Sequence, residues 1–147
     1  MAGAVTPDAC FTYGSLMWAD IMARVCGRAL PSEPARLHGH SRHPVRGEDY
    51  PGLRPAAGGV IEGRLYRGID ASLWTRLDAF EGADYERVQV PVELPDGRSD
   101  DAWVYRFRAE PAARLLLPGD WDPQAFEREG RERFMARYAG FSVPSVR

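Results

Sequence analysis

Two stretches of this chain carry residue types that could do chemistry: Tyr13-Gly14-Ser15-Leu16 and Asp78-Ala79-Phe80-Glu81-Gly82. In the first, Gly14 lets the backbone come close to a ligand. The N–H groups at the start of a following helix have no partner within it and point outward, so the loop can hold a carboxylate or another anion. Tyr13 and Ser15 could add hydroxyl donors. In the second, Glu81 follows Phe80 and precedes Tyr85 and Arg87. A carboxyl beside aromatic residues in a partly dry cleft has its pKa lifted from about 4.3 toward neutrality, which suits proton transfer. Each stretch also has an ordinary reading, a strand-to-helix turn for one and a solvated glutamate at a helix end for the other. Together they supply a backbone anion loop and a proton-moving carboxylate, the minimum equipment for an acid-base enzyme acting on a small substrate.

Other candidates are weaker. In His38-Gly39-His40-Ser41-Arg42-His43, alternate strand residues share a face, so His38 and His40 could bind zinc. His43 falls opposite unless a bulge intervenes, and no acidic cluster completes a ligand set. No metal site is expected, and the histidines read as solvent-facing or hydrogen-bonded strand residues. Ser15 lacks the Gly-x-Ser-x-Gly elbow and a histidine placed to activate it, which argues against a hydrolase nucleophile. Cys10 and Cys26 match neither a zinc pair nor a redox Cys-x-x-Cys, and read as buried free thiols.

The elements that must position these residues follow from pattern. Cys10 to Tyr13 has strand composition, broken by Gly14-Ser15. Met17, Trp18, Ile21, Met22 and Val25 recur at helical spacing, with Gly27 placed as a stop. Ala35 to Val45 reads as a strand, Arg46 to Gly52 as a long loop, and Gly59 to Arg67 as a strand whose glycines suit tight curvature. Asp70 can cap a helix whose apolar face is Leu73, Trp74, Leu77 and Phe80, which puts Glu81 at its terminus before Gly82. Tyr85 to Leu94 and Ala102 to Phe107 flank the turn Pro95-Asp96-Gly97 as an antiparallel hairpin. Asp122-Pro123 caps a last helix with Phe126, Phe134, Met135 and Tyr138 on its buried side. Strands mostly adjacent in sequence, punctuated by a few helices, predict an α+β fold with a curved mixed or antiparallel sheet. Trp74, Trp103 and Trp121 fall on apolar faces, so they read as core rather than as surface anchors.

Composition narrows the function classes. A chain of 147 residues with 44% hydrophobic content suits one domain, 1–147, with its core over roughly 9–140. The net charge of −2, with arginines scattered among acidic residues, excludes a nucleic-acid stripe. No apolar run approaches the roughly 20 residues that span a bilayer, and Met1 to Ala9 has no leader character. A soluble, cytoplasmic protein with no membrane partner is expected, and nothing in the sequence sets its oligomeric state.

Four segments together resemble the γ-glutamylcyclotransferase-like superfamily, most closely its AIG2-like branch, which includes γ-glutamylamine cyclotransferases. They are Phe11 to Leu16, Tyr50-Pro51-Gly52-Leu53, Gly63-Arg64-Leu65-Tyr66, and Leu77 to Arg87 with its Leu-Asp-x-x-Glu-x-x-x-Tyr-x-Arg-like spacing. The resemblance implies a small barrel with flanking helices and a cavity where the Tyr-Gly-Ser-Leu loop meets the glutamate. It makes Glu81 the catalytic acid-base residue and Tyr13, Gly14, Ser15 and Leu16 the substrate-binding loop. Tyr105 joins them as a cavity-lining candidate, while Tyr50, Tyr85 and Arg87 have equally ordinary roles as strand aromatics or an ion pair. The reaction implied is attack of a γ-glutamyl substrate's α-amino group on its own γ-carbonyl, which releases 5-oxoproline and an amine without metal or cofactor. The alternative is a non-catalytic small-molecule-binding or interaction domain that keeps the pocket without turnover.

Overall fold

Five strands close into a barrel in the computed structural model, which describes residues 7–138. The described strands are β1 (Cys10–Thr12), β2 (Ser32–Pro44), β3 (Pro51–Tyr66), β4 (Tyr85–Glu93) and β5 (Ser99–Phe107), ordered β1-β3-β2-β4-β5. β1 runs antiparallel to β3 and parallel to β5, so this short strand closes the barrel as a mixed sheet. The fold is α+β with a curved mixed sheet and flanking helices, as the pattern predicted.

Strand periodicity sorts the core into two layers. Phe11, Leu37, Leu53, Leu65, Val92 and Val104 fill one buried cluster. Cys10, on the opposite face of β1 from Phe11, joins the second cluster with Ile21, Met22, Leu73, Leu77, Trp121, Phe126 and Phe134 from the helices and the segment before the last of them. Both cysteines are buried free thiols. Among the described residues, no helix is long and apolar enough to cross a membrane, and no cluster of metal-ligating side chains occurs.

Several elements differ from the sequence reading. The helix expected over Met17 to Val25 is a 3-10 turn (Ser15–Met17), an extended Trp18, and then α1 (Ala19–Cys26). Breaking the run at Trp18 turns the chain so that Ile21, Met22, Val25 and Cys26 face the barrel. The expected loop ends earlier than read, because β3 starts at Pro51 and pairs with β2 through Pro44↔Pro51. Cross-strand pairing thus overrides the turn propensity of Pro51-Gly52. The histidines are hydrogen-bonded strand residues, as read, but His38 and His40 do not share a face. Between them the register with β3 shifts, from His38↔Val60 to His40↔Pro55, and Gly39 takes φ 78°, so the strand's alternation is broken there. His38 is exposed against Glu93, while His40 and His43 are buried.

α2 (Ala71–Glu81) starts where Asp70 accepts a hydrogen bond from the Leu73 N–H at 3.0 Å and stops before Gly82. α3 (Ala109–Leu115) has no counterpart in the sequence reading; its Pro111 lies in the first turn, where a missing N–H costs little. α4 (Pro123–Ala125), capped by Asp122, passes through a π turn (Phe126–Gly130) into α5 (Arg131–Tyr138). The Tyr138 side chain and residues 139–140 of the expected core lie outside the described residues.

Candidate active site

The end of β1 and the end of α2 converge on one cleft, which encloses about 540 Å³ of empty space including its open mouth. Its inner wall is the β1 end and the loop after it, Thr12 to Leu16; Glu81, Phe80 and Tyr105 stand across it, with Tyr50, Pro51, Tyr85 and Phe134 completing the lining. Every site residue predicted from the sequence lines this one cleft: Tyr13, Gly14, Ser15, Leu16, Glu81 and Tyr105.

Gly14 is where the chain leaves β1. A Cβ there would sit 2.7 Å from both Cγ and Cδ of Pro51, so only glycine lets the loop pass beneath the start of β3. The carbonyls of Gly14 and Ser15 accept from Met17 and Trp18 in the 3-10 turn. The N–H groups of Gly14, Ser15 and Leu16 have no acceptor among the described residues. Consecutive unpaired N–H groups beside a cavity form a site for an anion or an oxygen gaining negative charge, because buried backbone donors are otherwise almost always paired.

Glu81, the last residue of α2, is half-buried and lines the cleft. Burial comes first and the nearby Asp78 carboxylate second in raising it from 4.5 to about 8. Among the described residues, no hydrogen bond lowers it again.

Behind Glu81 lies a polar cluster the sequence reading did not assemble. Asp78, one turn earlier on α2, accepts from the Tyr105 hydroxyl at 2.7 Å and from Arg87 at 2.9 and 3.3 Å. The Arg87 guanidinium lies over both Trp74 and Trp103, 4.4 and 4.6 Å from their ring centroids, in the corner formed by the two edge-packed rings. The only signal for this cluster in the sequence is the i, i+4 placement of Trp74 and Asp78 on α2, with Arg87 a strand away.

The tyrosines correct one expectation. Tyr13 donates its hydroxyl proton to the Tyr105 carbonyl at 2.6 Å, and Tyr105 donates its own to Asp78, so neither proton is available to a ligand. Burial first, and the Glu81 charge among the other causes, raises both phenols well above their usual range and keeps them neutral. The same burial and the same carboxyl raise the Cys10 thiol, which rules it out as a ready nucleophile. Ser15, without a hydrogen-bond partner among the described residues, keeps its hydroxyl for the cleft.

The loop is also held from outside. Arg42 on β2 donates from Nη1 to the Tyr13 carbonyl at 2.9 Å, and from Nε and Nη2 to Asp120 at 2.8 and 3.1 Å. Nothing in the residue pattern separated Arg42 from the chain's other arginines.

Residues 10–123 match the family described as "Gamma-glutamyl cyclotransferase, AIG2-like". AIG2-like protein D of Arabidopsis thaliana is 30% identical over 139 residues, 92% of this chain and 89% of that protein. A solution structure of an Arabidopsis thaliana protein superposes with a TM-score of 0.69 at 25% identity, covering 95% of this chain and 84% of that one. A solved structure titled "Gamma-glutamyl cyclotransferase" shares the fold at a TM-score of 0.63 and 16% identity, with 70% of this chain and 68% of that one covered.

Proposed function

We propose that this chain, which belongs to the gamma-glutamyl cyclotransferase, AIG2-like family, is a cyclotransferase that converts a small γ-glutamyl substrate into 5-oxoproline and a free amine. The observation that carries this reading is the placement of Glu81, its carboxyl raised to about 8, in the same cleft as the unpaired N–H groups of Gly14, Ser15 and Leu16. The name of the fold neighbour, a γ-glutamyl cyclotransferase, agrees with it.

The chemistry places two demands on a site. The α-ammonium must lose a proton before its nitrogen can attack, and the leaving nitrogen must gain one. As a carboxylate, Glu81 takes the ammonium proton. The freed nitrogen attacks the γ-carbonyl carbon, forming the ring C–N bond and driving the carbonyl electrons onto oxygen. That oxygen regains its double bond as the amide C–N bond breaks, and Glu81 returns the proton to the departing nitrogen. The second proton on the new ring nitrogen leaves to the departed amine or to solvent.

A carboxyl raised to about 8 is far closer to the basicity of an amine than an ordinary carboxylate, which makes taking the proton from the α-ammonium less uphill. The N–H groups after β1 hold the glutamyl end and the charge that develops on the γ-oxygen, a contribution on the order of 10²–10³ in rate per donor in comparable sites. No covalent nucleophile or cofactor enters these steps.

The test is release of 5-oxoproline from a panel of γ-glutamyl amines, γ-glutamyl amino acids and glutathione, with Glu81→Gln alongside. Release that the substitution abolishes supports the reading and identifies the leaving group. A folded protein that releases nothing from any member, yet binds these compounds with or without the substitution, is a binding domain on the same fold.

A further inference from the structure

We propose that Arg42 is a positioning residue of this site: by holding the Tyr13 carbonyl from outside the cleft, it aims the Gly14 N–H into it. The inference rests on the cyclotransferase reading for its kinetic consequence, though not for its geometry.

Arg42 is fastened on every side. Its side chain is 9% exposed although it belongs to a surface ion pair, whereas its partner Asp120 is 63% exposed. The Asp120 carboxylate takes Nε and Nη2 as a fork, and the guanidinium carbon lies 5.4 Å from the centroid of the Trp121 ring. Trp121 is itself buried, with its indole N–H on the Asp49 carbonyl at 2.8 Å. One guanidinium nitrogen remains, Nη1, and it is bonded to the Tyr13 oxygen at 2.9 Å. Lysine could not do this, because a single ammonium cannot hold a planar fork and a carbonyl together.

The consequence follows from peptide geometry. The described chain has no cis peptide bonds, so the C=O of Tyr13 and the N–H of Gly14 point in opposite directions from one rigid plane. Arg42, Asp120 and Trp121 do not line the cleft; Tyr13 and Gly14 do. A carbonyl pulled outward to Arg42 therefore sends the Gly14 N–H inward. Glycine has no side chain with which to hold this plane, and its backbone is the freest of any residue. Pro51 packs against Gly14 from one side but offers no hydrogen bond to fix the peptide's rotation. Arg42 supplies that fixing contact.

The experiment compares the native full chain with Arg42→Lys, Arg42→Ala and Asp120→Asn. The γ-glutamyl substrate is the one the native protein turns over best, and thermal unfolding is followed in parallel. If the Gly14 N–H stabilises the developing oxyanion, Arg42→Lys lowers kcat about 100-fold with KM within about threefold. The pH dependence set by Glu81 stays in place. Asp120→Asn retains the contact with Tyr13 and loses less than about tenfold. A folded Arg42→Lys protein with kcat within threefold of native overturns the inference and leaves the cyclotransferase reading standing.

A native protein that releases no 5-oxoproline sinks the cyclotransferase reading. The positioning is then read from the Gly14 amide resonance in ¹⁵N-labelled protein. Arg42→Lys should shift and broaden it relative to native, and a Gly14 resonance that does not move overturns the inference.

Discussion

Replacing Glu81 by glutamine should make the protein more stable in alkali and leave it unchanged in acid, and the size of the effect follows from the cleft. In the unfolded chain the carboxyl titrates near its ordinary 4.5, and in the folded one near 8, because burial opposes its charge and Asp78 repels it. Below pH 4.5 it is protonated in both states and contributes no difference. Between 4.5 and 8 the unfolded chain gives up the proton while the folded one retains it, so stability falls as pH rises. Above 8 the loss is complete. A separation of 8 − 4.5 = 3.5 pH units corresponds to about 5 kcal/mol at 1.36 kcal/mol per unit. Water at the open mouth relaxes part of this, so the figure is a ceiling. Glutamine has nearly the same shape and no titration; groups that do not feel the Glu81 charge cancel in the difference, and Cys10, Tyr13 and Tyr105, which do feel it, are held protonated in the folded state by burial first. Urea unfolding followed by tryptophan fluorescence from pH 4 to 9.5 measures it directly. The variant should gain steadily on the native protein from about pH 5 to 8, reaching a difference of several kcal/mol. A difference that stays below about 1 kcal/mol across the range would refute the claim that the cleft excludes water from Glu81.

Three further substitutions probe the surroundings. Gly14→Ala puts a methyl group 2.7 Å from the Pro51 ring, which should cost about 1–3 kcal/mol in denaturant unfolding and remove 5-oxoproline release as the loop is pushed off β3. Asp78→Asn removes the charge that repels Glu81, so the rising limb of the kcat/KM profile should move to lower pH; an unchanged limb would mean that burial alone sets it. Arg87→Ala strips the guanidinium from over Trp74 and Trp103 and leaves Asp78 with the Tyr105 hydroxyl alone, costing about 2–3 kcal/mol by chemical denaturation.

What could be read from the sequence, and what could not, divides by the range of the interaction. Glu81 at the end of α2 was legible because its position depends on local features: the Asp70 cap, apolar residues at helical spacing, and Gly82. The hairpin of β4 and β5 was legible from Pro95-Asp96-Gly97 for the same reason. The full length of β3 was hidden, since Pro51, Gly52 and Pro55 argue locally for turns and only the pairing with β2 holds them extended, while Gly58, at φ 78°, and Gly59 lie at the register shift where that pairing lapses. The register shift that sets Gly39 opposite residues 56–59 of β3, between His38 and His40, is likewise a property of the pair of strands rather than of either sequence.

The same division runs through the site. A carboxyl and a glycine loop announce themselves by type, but what makes them useful is contributed from far along the chain. Arg42 reaches Tyr13 across 29 residues and Asp120 across 78, and Tyr105 reaches Asp78 across 27. Each of these contacts leaves the chemistry to another residue: Arg42 orients an amide, Tyr105 and Arg87 anchor the charge beside Glu81, and Pro51 closes the space over Gly14. Such residues have no distinctive type or spacing, because an arginine that pins a carbonyl looks in sequence like any arginine in an ion pair. The barrel makes them effective by bringing the ends of β1, β2 and α2 to one corner. Substituting one of them should alter rate or pH dependence without altering which reaction occurs.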